Sequence, residues 1–173
     1  MPITIQLEQV IACAMSLDSG HGFTLAPGVT ARLAAGALII EENGSTVFHM
    51  KVRVEGTHLV VDYPRTLDDQ QGRGWARLGL LLALRYGLHM GCTTAAAGTQ
   101  LESGSYGFWV PAGLQFSIPG DLQQSIANVM RLIQASSPQP YPPGTSVIVI
   151  RDAARSGTES KAIVRPRAGS WKG

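Results

Sequence analysis

Residues 59–97 read LVVDYPRTLDDQQGRGWARLGLLLALRYGLHMGCTTAAA, and the way this run divides decides the fold. Residues 57–63 are strand formers closed by Pro64. Residues 75–90 carry leucine and alanine on most sides and read as a helix, with Arg73, Arg77 and Arg85 spaced by multiples of four on its polar stripe. Gly91 suits the position just past the helix end. Residues 92–97 are small and apolar enough for a buried strand. Between the first strand and the helix lies DDQQGRGW, residues 68–75. Its Gly72-Arg73-Gly74 has two readings. Glycines before a helix let an anion approach unpaired amides at the positive end of the dipole, or they simply relieve a turn.

Two named phosphate loops are excluded. No glycine is followed by Lys-Ser or Lys-Thr, so there is no Walker pattern. The third glycine of a dinucleotide fingerprint would fall on Arg77, and residues 91–98 offer no acid for a ribose.

Upstream, residues 37–42 (ALIIEE) meet residues 45–54 (STVFHMKVRV) across Asn43-Gly44, a strong hairpin signal because both residues accept positive φ. A turn at Glu55-Gly56 adds residues 57–63, giving a three-strand meander. Ile3, Ile5 and Leu7 alternate as a first strand, residues 8–17 follow as a helix, and residues 19–28 are a loop rich in glycine and proline. Downstream, a short helix or turn covers 100–112, a strand 116–118, and a helix 121–135 capped by Asp121. Residues 136–144 form a proline-rich linker, and residues 146–150 and 161–165 a terminal strand pair. The segment GSYGFWVPAGLQF, residues 104–116, is either a packing element or an exposed wall for a partner. The whole is one mixed α/β domain spanning 1–173.

A chain of 173 residues with 45% hydrophobic and 15% charged residues supports a real core. The net charge of +2 is too small to imply nucleic-acid binding. Six cations against two carboxylates between Arg151 and Lys172 make the C-terminal region basic, a solvated tail or a contact for an acidic partner. Cys13 and Cys92 stand far apart in apolar company, which predicts buried thiols rather than a disulfide. His21, His49 and His89 lack metal-ligand spacing. The N-terminus has no cationic leader, and the apolar run at 78–88 is short and interrupted by Arg85, so no membrane association is expected. These features describe a cytoplasmic protein, and equally a bacterial effector or toxin exported without a cleavable signal.

The central run resembles the core motif of the GNAT superfamily of N-acetyltransferases, which has a strand, a loop Q/R-x-x-G-x-G/A, a leucine-rich helix and a strand. Asp69-Gln70-Gln71-Gly72-Arg73-Gly74 matches except at Asp69, and Tyr106 to Phe116 (YGFWVPAGLQF) resembles the later signature, with Trp109, Gly113 and Leu114 in its places. The resemblance covers about residues 37–116. It implies an α+β fold with a mixed central sheet of about six to seven strands, an antiparallel meander and flanking helices. It implies acetyl-coenzyme A or another acyl-coenzyme A, with the pyrophosphate on the loop. Val61, Tyr63, Gln71, Gly72, Arg73, Gly74 and Trp75 are the corresponding cofactor-binding positions.

In that family a base deprotonates an amine and a tyrosine protonates the leaving thiolate. Glu55, His58 and Asp62 are the candidate bases, and Tyr106 the candidate acid, because Trp109 holds the usual tyrosine position. The acceptor is a small-molecule or protein amine. The alternatives are a catalytically inactive binding or effector module of this fold, and an unrelated α/β domain whose glycines only turn the chain. The terminal strand pair offers an edge for a homodimer.

Overall fold

Four tight turns fold the first third of the chain back and forth on itself. Gly28 (φ 80°), Ala35-Gly36 (51° and 79°), Asn43-Gly44 (51° and 85°) and Gly56 (64°) all take left-handed backbone, which suits turns between antiparallel strands. The computed structural model describes residues 2–98, 106–135 and 147–153. Within them the order is β1 (Ile3–Gln6), α1 (Leu7–Ser16), β2 (Phe23–Ala26), β3 (Val29–Ala34), β4 (Ala37–Glu42), β5 (Ser45–Glu55), β6 (His58–Thr66), α2 (Trp75–His89), β7 (Thr94–Ala97), α3 (Tyr106–Ala112), β8 (Gly120–Asp121), α4 (Leu122–Ala135) and β9 (Val147–Ile150).

Strands β2 to β8 form one seven-stranded sheet in chain order. Every neighbouring pair is antiparallel except β6 and β7, which α2 connects in parallel. The expected mixed sheet with an antiparallel meander and flanking helices is therefore present.

Two expectations are corrected, and a third acquires an unforeseen partner strand. The meander has five strands rather than three, because residues 19–28 contain β2 and the turn into β3. A short apolar strand with Pro27-Gly28 behind it reads as a loop until its partner is known. The strand β9 pairs with β1, Ile3 opposite Ile150 through Gln6 opposite Val147, in a separate two-stranded sheet. Its expected partner, residues 161–165, lies outside the described residues, as do the linker 136–144 and the tail beyond 153. Residues 116 and 118 make only isolated bridges, and the strand beside β7 is β8.

Helix α2 is apolar on most sides because α1 and α4 flank it and the sheet lies beneath. Gly79 and Gly87 give the close approach to the sheet. A Cβ on Gly79 would sit 2.6 Å from Phe48 Cδ2, and one on Gly87 2.9 Å from Leu59 Cδ2. Its C-terminus closes in a Schellman arrangement, with Gly91 (φ 89°) donating to Leu88 O and Cys92 to Gly87 O. Asp121 caps α4 as expected, its Oδ1 accepting from the amides of Gln123 and Gln124 at 3.0 and 3.3 Å. Among the described residues no helix is long and apolar enough to cross a membrane.

Candidate functional site

The site is built where β6 outruns β7. The two strands pair from His58 opposite Thr94 to Val61 opposite Ala97, and the Gly98 amide then donates to Val61 O at 2.9 Å. Among the described residues pairing with β7 stops there, while β6 continues to Thr66 beside β5. Within that stretch β6 bulges. Between the pairs Lys51–Asp62 and His49–Arg65 it advances three residues against two on β5, and Tyr63 takes φ 50°. A bulge bends its strand and increases local twist. Pro64, which ended the strand expected from sequence, sits inside the bulge, where its missing N–H is tolerated. On the far side of β7, residues 115–117 run alongside, with Ala97 N donating to Gln115 O and Ser117 N to Ala97 O, both at 3.0 Å.

The glycine loop follows directly. A short 3-10 turn over Asp68–Gln70 leads to exposed Gln71 and Gly72 (φ 82°), and Gly74 (φ 110°) stands as the N-cap of α2 with no side-chain cap. The fifteen-residue α2 begins there, so its first-turn amides open onto the loop. Asp69 is exposed.

Arg73, expected as a cation for a ligand, is turned into the protein. Its guanidinium donates to Glu42 Oε1 at 2.9 Å, Gln70 Oε1 at 2.6 Å and the Arg151 carbonyl at 2.7 Å, and it packs over the Trp75 ring at 5.3 Å. Trp75 is fully buried, and its Nε1 donates to the same Gln70 oxygen at 3.1 Å. The Arg151 amide returns a bond to Arg73 O at 2.9 Å. These contacts fasten the loop to β4 on one side and to the end of β9 on the other.

The cavity beside the loop is lined by Arg77 and Arg151 as well as Arg73, together with Gly72, Gly74, Ile133, Ile148 and Val149. Burial, and then the facing Arg151, hold Arg77 below its ordinary value. Sequence reading placed Arg77 on a solvated stripe. The available signal was its position in the first turn of α2, where the helix dipole disfavours a cation unless an anion is near.

The candidate bases share one face of the sheet, opposite α2. His58, Val60 and Asp62 of β6 stand there beside Lys51, Arg53 and Glu55 of β5, and beside Thr94 of β7 and Gly98 just past its end. Glu55 is ion-paired to Arg53, and His58 is bonded to the Thr94 hydroxyl. Both sit at the closed end of the β6–β7 pair, with His58 roughly 13 Å along the strand from Asp62 at 3.3 Å per residue. Asp62 sits where the strands part. It is 6% exposed, its Oδ1 has no hydrogen-bond partner among the described residues, and Gly98 lies against its other oxygen.

Tyr106 is the first residue of α3, but its side chain lies outside the described residues. Trp109 is 2% exposed and packs edge-on to Phe108 with centroids 4.7 Å apart. The aromatic segment is thus divided, with Phe108 and Trp109 in the core and Val110 and Phe116 in water. Among the described residues no group of three or more His, Cys, Asp or Glu is placed to hold a metal. Compared with known proteins, the chain matches no family model and no curated protein.

Proposed function

We propose that the protein is an acyl-coenzyme A-dependent N-acyltransferase. One observation carries this reading. A strand that pairs in parallel, bulges at Tyr63 and outruns its neighbour is followed at once by a glycine loop on a helix N-terminus. A gap between strands beside an anion-binding helix end suits a ligand with an extended arm and a diphosphate.

The donor set fits that ligand. The first-turn amides of α2 with Arg77 and Arg151 would hold the diphosphate, and Gly72 and Gly74 keep side chains out of its way. Backbone groups of β6 beyond Val61 would line the arm, Tyr63 being the next residue of the same parity. Bound there, the acyl-coenzyme A supplies a thioester whose acyl carbon the acceptor nitrogen attacks, with release of the thiol. Asp62 is the carboxylate best placed to take the proton from the acceptor ammonium, since Glu55 and His58 are engaged at the far end of the strand. A β6 amide directed into the gap would stabilise the oxygen on which charge develops.

Trp109 favours a second reading, in which the ligand binds without turnover. A buried indole occupies the position from which the resemblance draws a proton donor.

Thermal unfolding with acetyl-coenzyme A tests the proposal. A ligand at a hundred times its Kd stabilises by about 2.7 kcal/mol, which for a chain of this size raises Tm by roughly 5–10 °C. Arg77→Ala and Arg151→Ala should each reduce the shift. No shift at millimolar ligand overturns the proposal, and a shift without thiol release over a panel of amines selects the second reading.

A further inference from the structure

The end of β9 and the glycine loop are joined by backbone contacts and opposed by like charges. Arg73 Nε donates to the Arg151 carbonyl at 2.7 Å, and the Arg151 amide donates to Arg73 O at 2.9 Å. Gly74 lies close against the strand, since a Cβ there would stand 3.6 Å from Val149 O and 3.7 Å from Ile150 Cδ1. Beside this seam is a cavity of about 30 Å³, with walls from the loop, α2 and β9. One water needs roughly 10–15 Å³, so the space suits a group of two or so oxygens, such as one phosphoryl. Gly72 and Arg151 are exposed at its rim, which gives a solute access.

Arg77 has no counter-charge in that cavity. Among the described residues it makes no hydrogen bond or ion pair, and the charge facing it is Arg151. It is half-buried and stands in the first turn of α2, which carries no acidic residue. Glu42, the carboxylate that reaches the loop, is bonded to Arg73. Desolvation, the helix dipole and a like charge therefore all act against the Arg77 guanidinium. An anion between Arg77 and Arg151 turns their repulsion into a bridge, and that bridge spans two elements.

We infer that an anion in this cavity latches β9 to the glycine loop, so that occupancy of the site controls how firmly β9 stays docked. This gives the site of the transferase reading a regulation, and it rests on that reading only for the ligand, a coenzyme A diphosphate with one phosphoryl in the cavity and the other at its mouth. The strands β1 and β9 pair over four residues each in a sheet of two, which places β9 among the elements that open locally before the whole fold does. A ligand that touches both the loop and β9 binds the docked state and stabilises it by mass action. The strand therefore opens more often with the cavity empty than with it filled.

Amide hydrogen exchange on the whole chain tests this, with inorganic pyrophosphate as the probe and sodium chloride at equal ionic strength as the control. Calorimetry supplies the pyrophosphate Kd, and acetyl-coenzyme A is titrated separately. At a hundred times Kd, protection at residues 147–151 should rise at least tenfold, strict linkage giving about a hundredfold. Chloride should change it less than twofold. Residues 55–58, whose turn meets the chain just past the far end of α2, should not respond. In Arg77→Ala the ligand-free protection of 147–151 should be unchanged or higher, because a repulsion has gone, and the pyrophosphate response should fall at least fivefold.

Lower ligand-free protection in Arg77→Ala overturns the latch, because Arg77 would then brace β9 without an anion. An equal response to chloride overturns it too, by reducing the effect to screening. So does pyrophosphate binding that leaves 147–151 unchanged, or no pyrophosphate binding at all. In either of those cases acetyl-coenzyme A binding leaves the transferase reading standing. A pyrophosphate response without acetyl-coenzyme A binding does the reverse, and the latch stands while the transferase reading falls.

Discussion

Replacing Arg73 with alanine separates a clasp from a ligand contact. Its side chain is 7% exposed and its partner Glu42 22% exposed, so the mutation leaves a largely buried carboxylate without its cation. Breaking a buried pair from one side costs about 3–5 kcal/mol. Glu42 keeps some contact with water, which places this case near 3 kcal/mol, including the Gln70 and Arg151 acceptors released at the same time. For a chain of this length that lowers Tm by about 6–12 °C.

Arg73→Lys keeps the charge but loses the fork that reaches three acceptors, and should cost about half as much. Urea unfolding of Arg73→Ala, Glu42→Gln and the double variant, without ligand, should give a coupling of about 2 kcal/mol. The opposite pattern is specific. If Arg73→Ala changes stability by less than about 0.5 kcal/mol while abolishing acetyl-coenzyme A binding, the guanidinium is a ligand cation and the clasp is refuted.

Gly79→Ala should destabilise by about 1–2 kcal/mol in urea unfolding although alanine is the better helix former, because the added methyl meets the Phe48 ring. Phe48→Leu in the same chain should recover part of the loss, and purely additive effects would place the strain elsewhere. Burial pushes the Cys13 thiol from 9.0 up to about 12. The unfolded chain thus binds fewer protons above pH 9, and this contribution, intact below that pH, falls by about 1.4 kcal/mol per unit as pH rises toward 12. Cys13→Ala should flatten that alkaline slope in pH-dependent unfolding, leaving the smaller contributions of Tyr86 and Cys92, which burial shifts in the same direction.

Elements whose stabilising contacts are local were legible. Asn43-Gly44 marked its hairpin because its chemistry lies in two adjacent residues, and α2 and α4 showed their periodicity and ends over a few turns. The β2–β3 hairpin was missed although Ala26-Pro27-Gly28-Val29 carries a type II turn signature, with proline second and glycine third. What holds it is distant. Gly28 O accepts the Asn43 amide at 2.7 Å, and the Asn43 side chain fills the space beside Gly28. The partner of β9 was missed for the same reason. SVIVI shows that it is a strand, and nothing local says that its mate begins at residue 3.

The site divides along the same line, and its decisive feature was visible as a flaw. The glycine loop could be seen because positive φ demands glycine at 72 and 74. The turning of Arg73 toward Glu42 could not, because that ion pair spans 31 residues. Pro64 is the instructive case. A proline in an otherwise β-forming run reads as the end of the strand, yet it also marks a bulge on a strand that has lost one neighbour. In this chain it does the second. The bulge lets β6 run on after β7 has stopped and puts Tyr63 into left-handed backbone. Asp62 stands at that parting, opposite the bare Gly98. Straightening the bulge would put Tyr63 and all that follows in β6 on the opposite face. The interruption in the pattern and the proposed site are therefore one structural event.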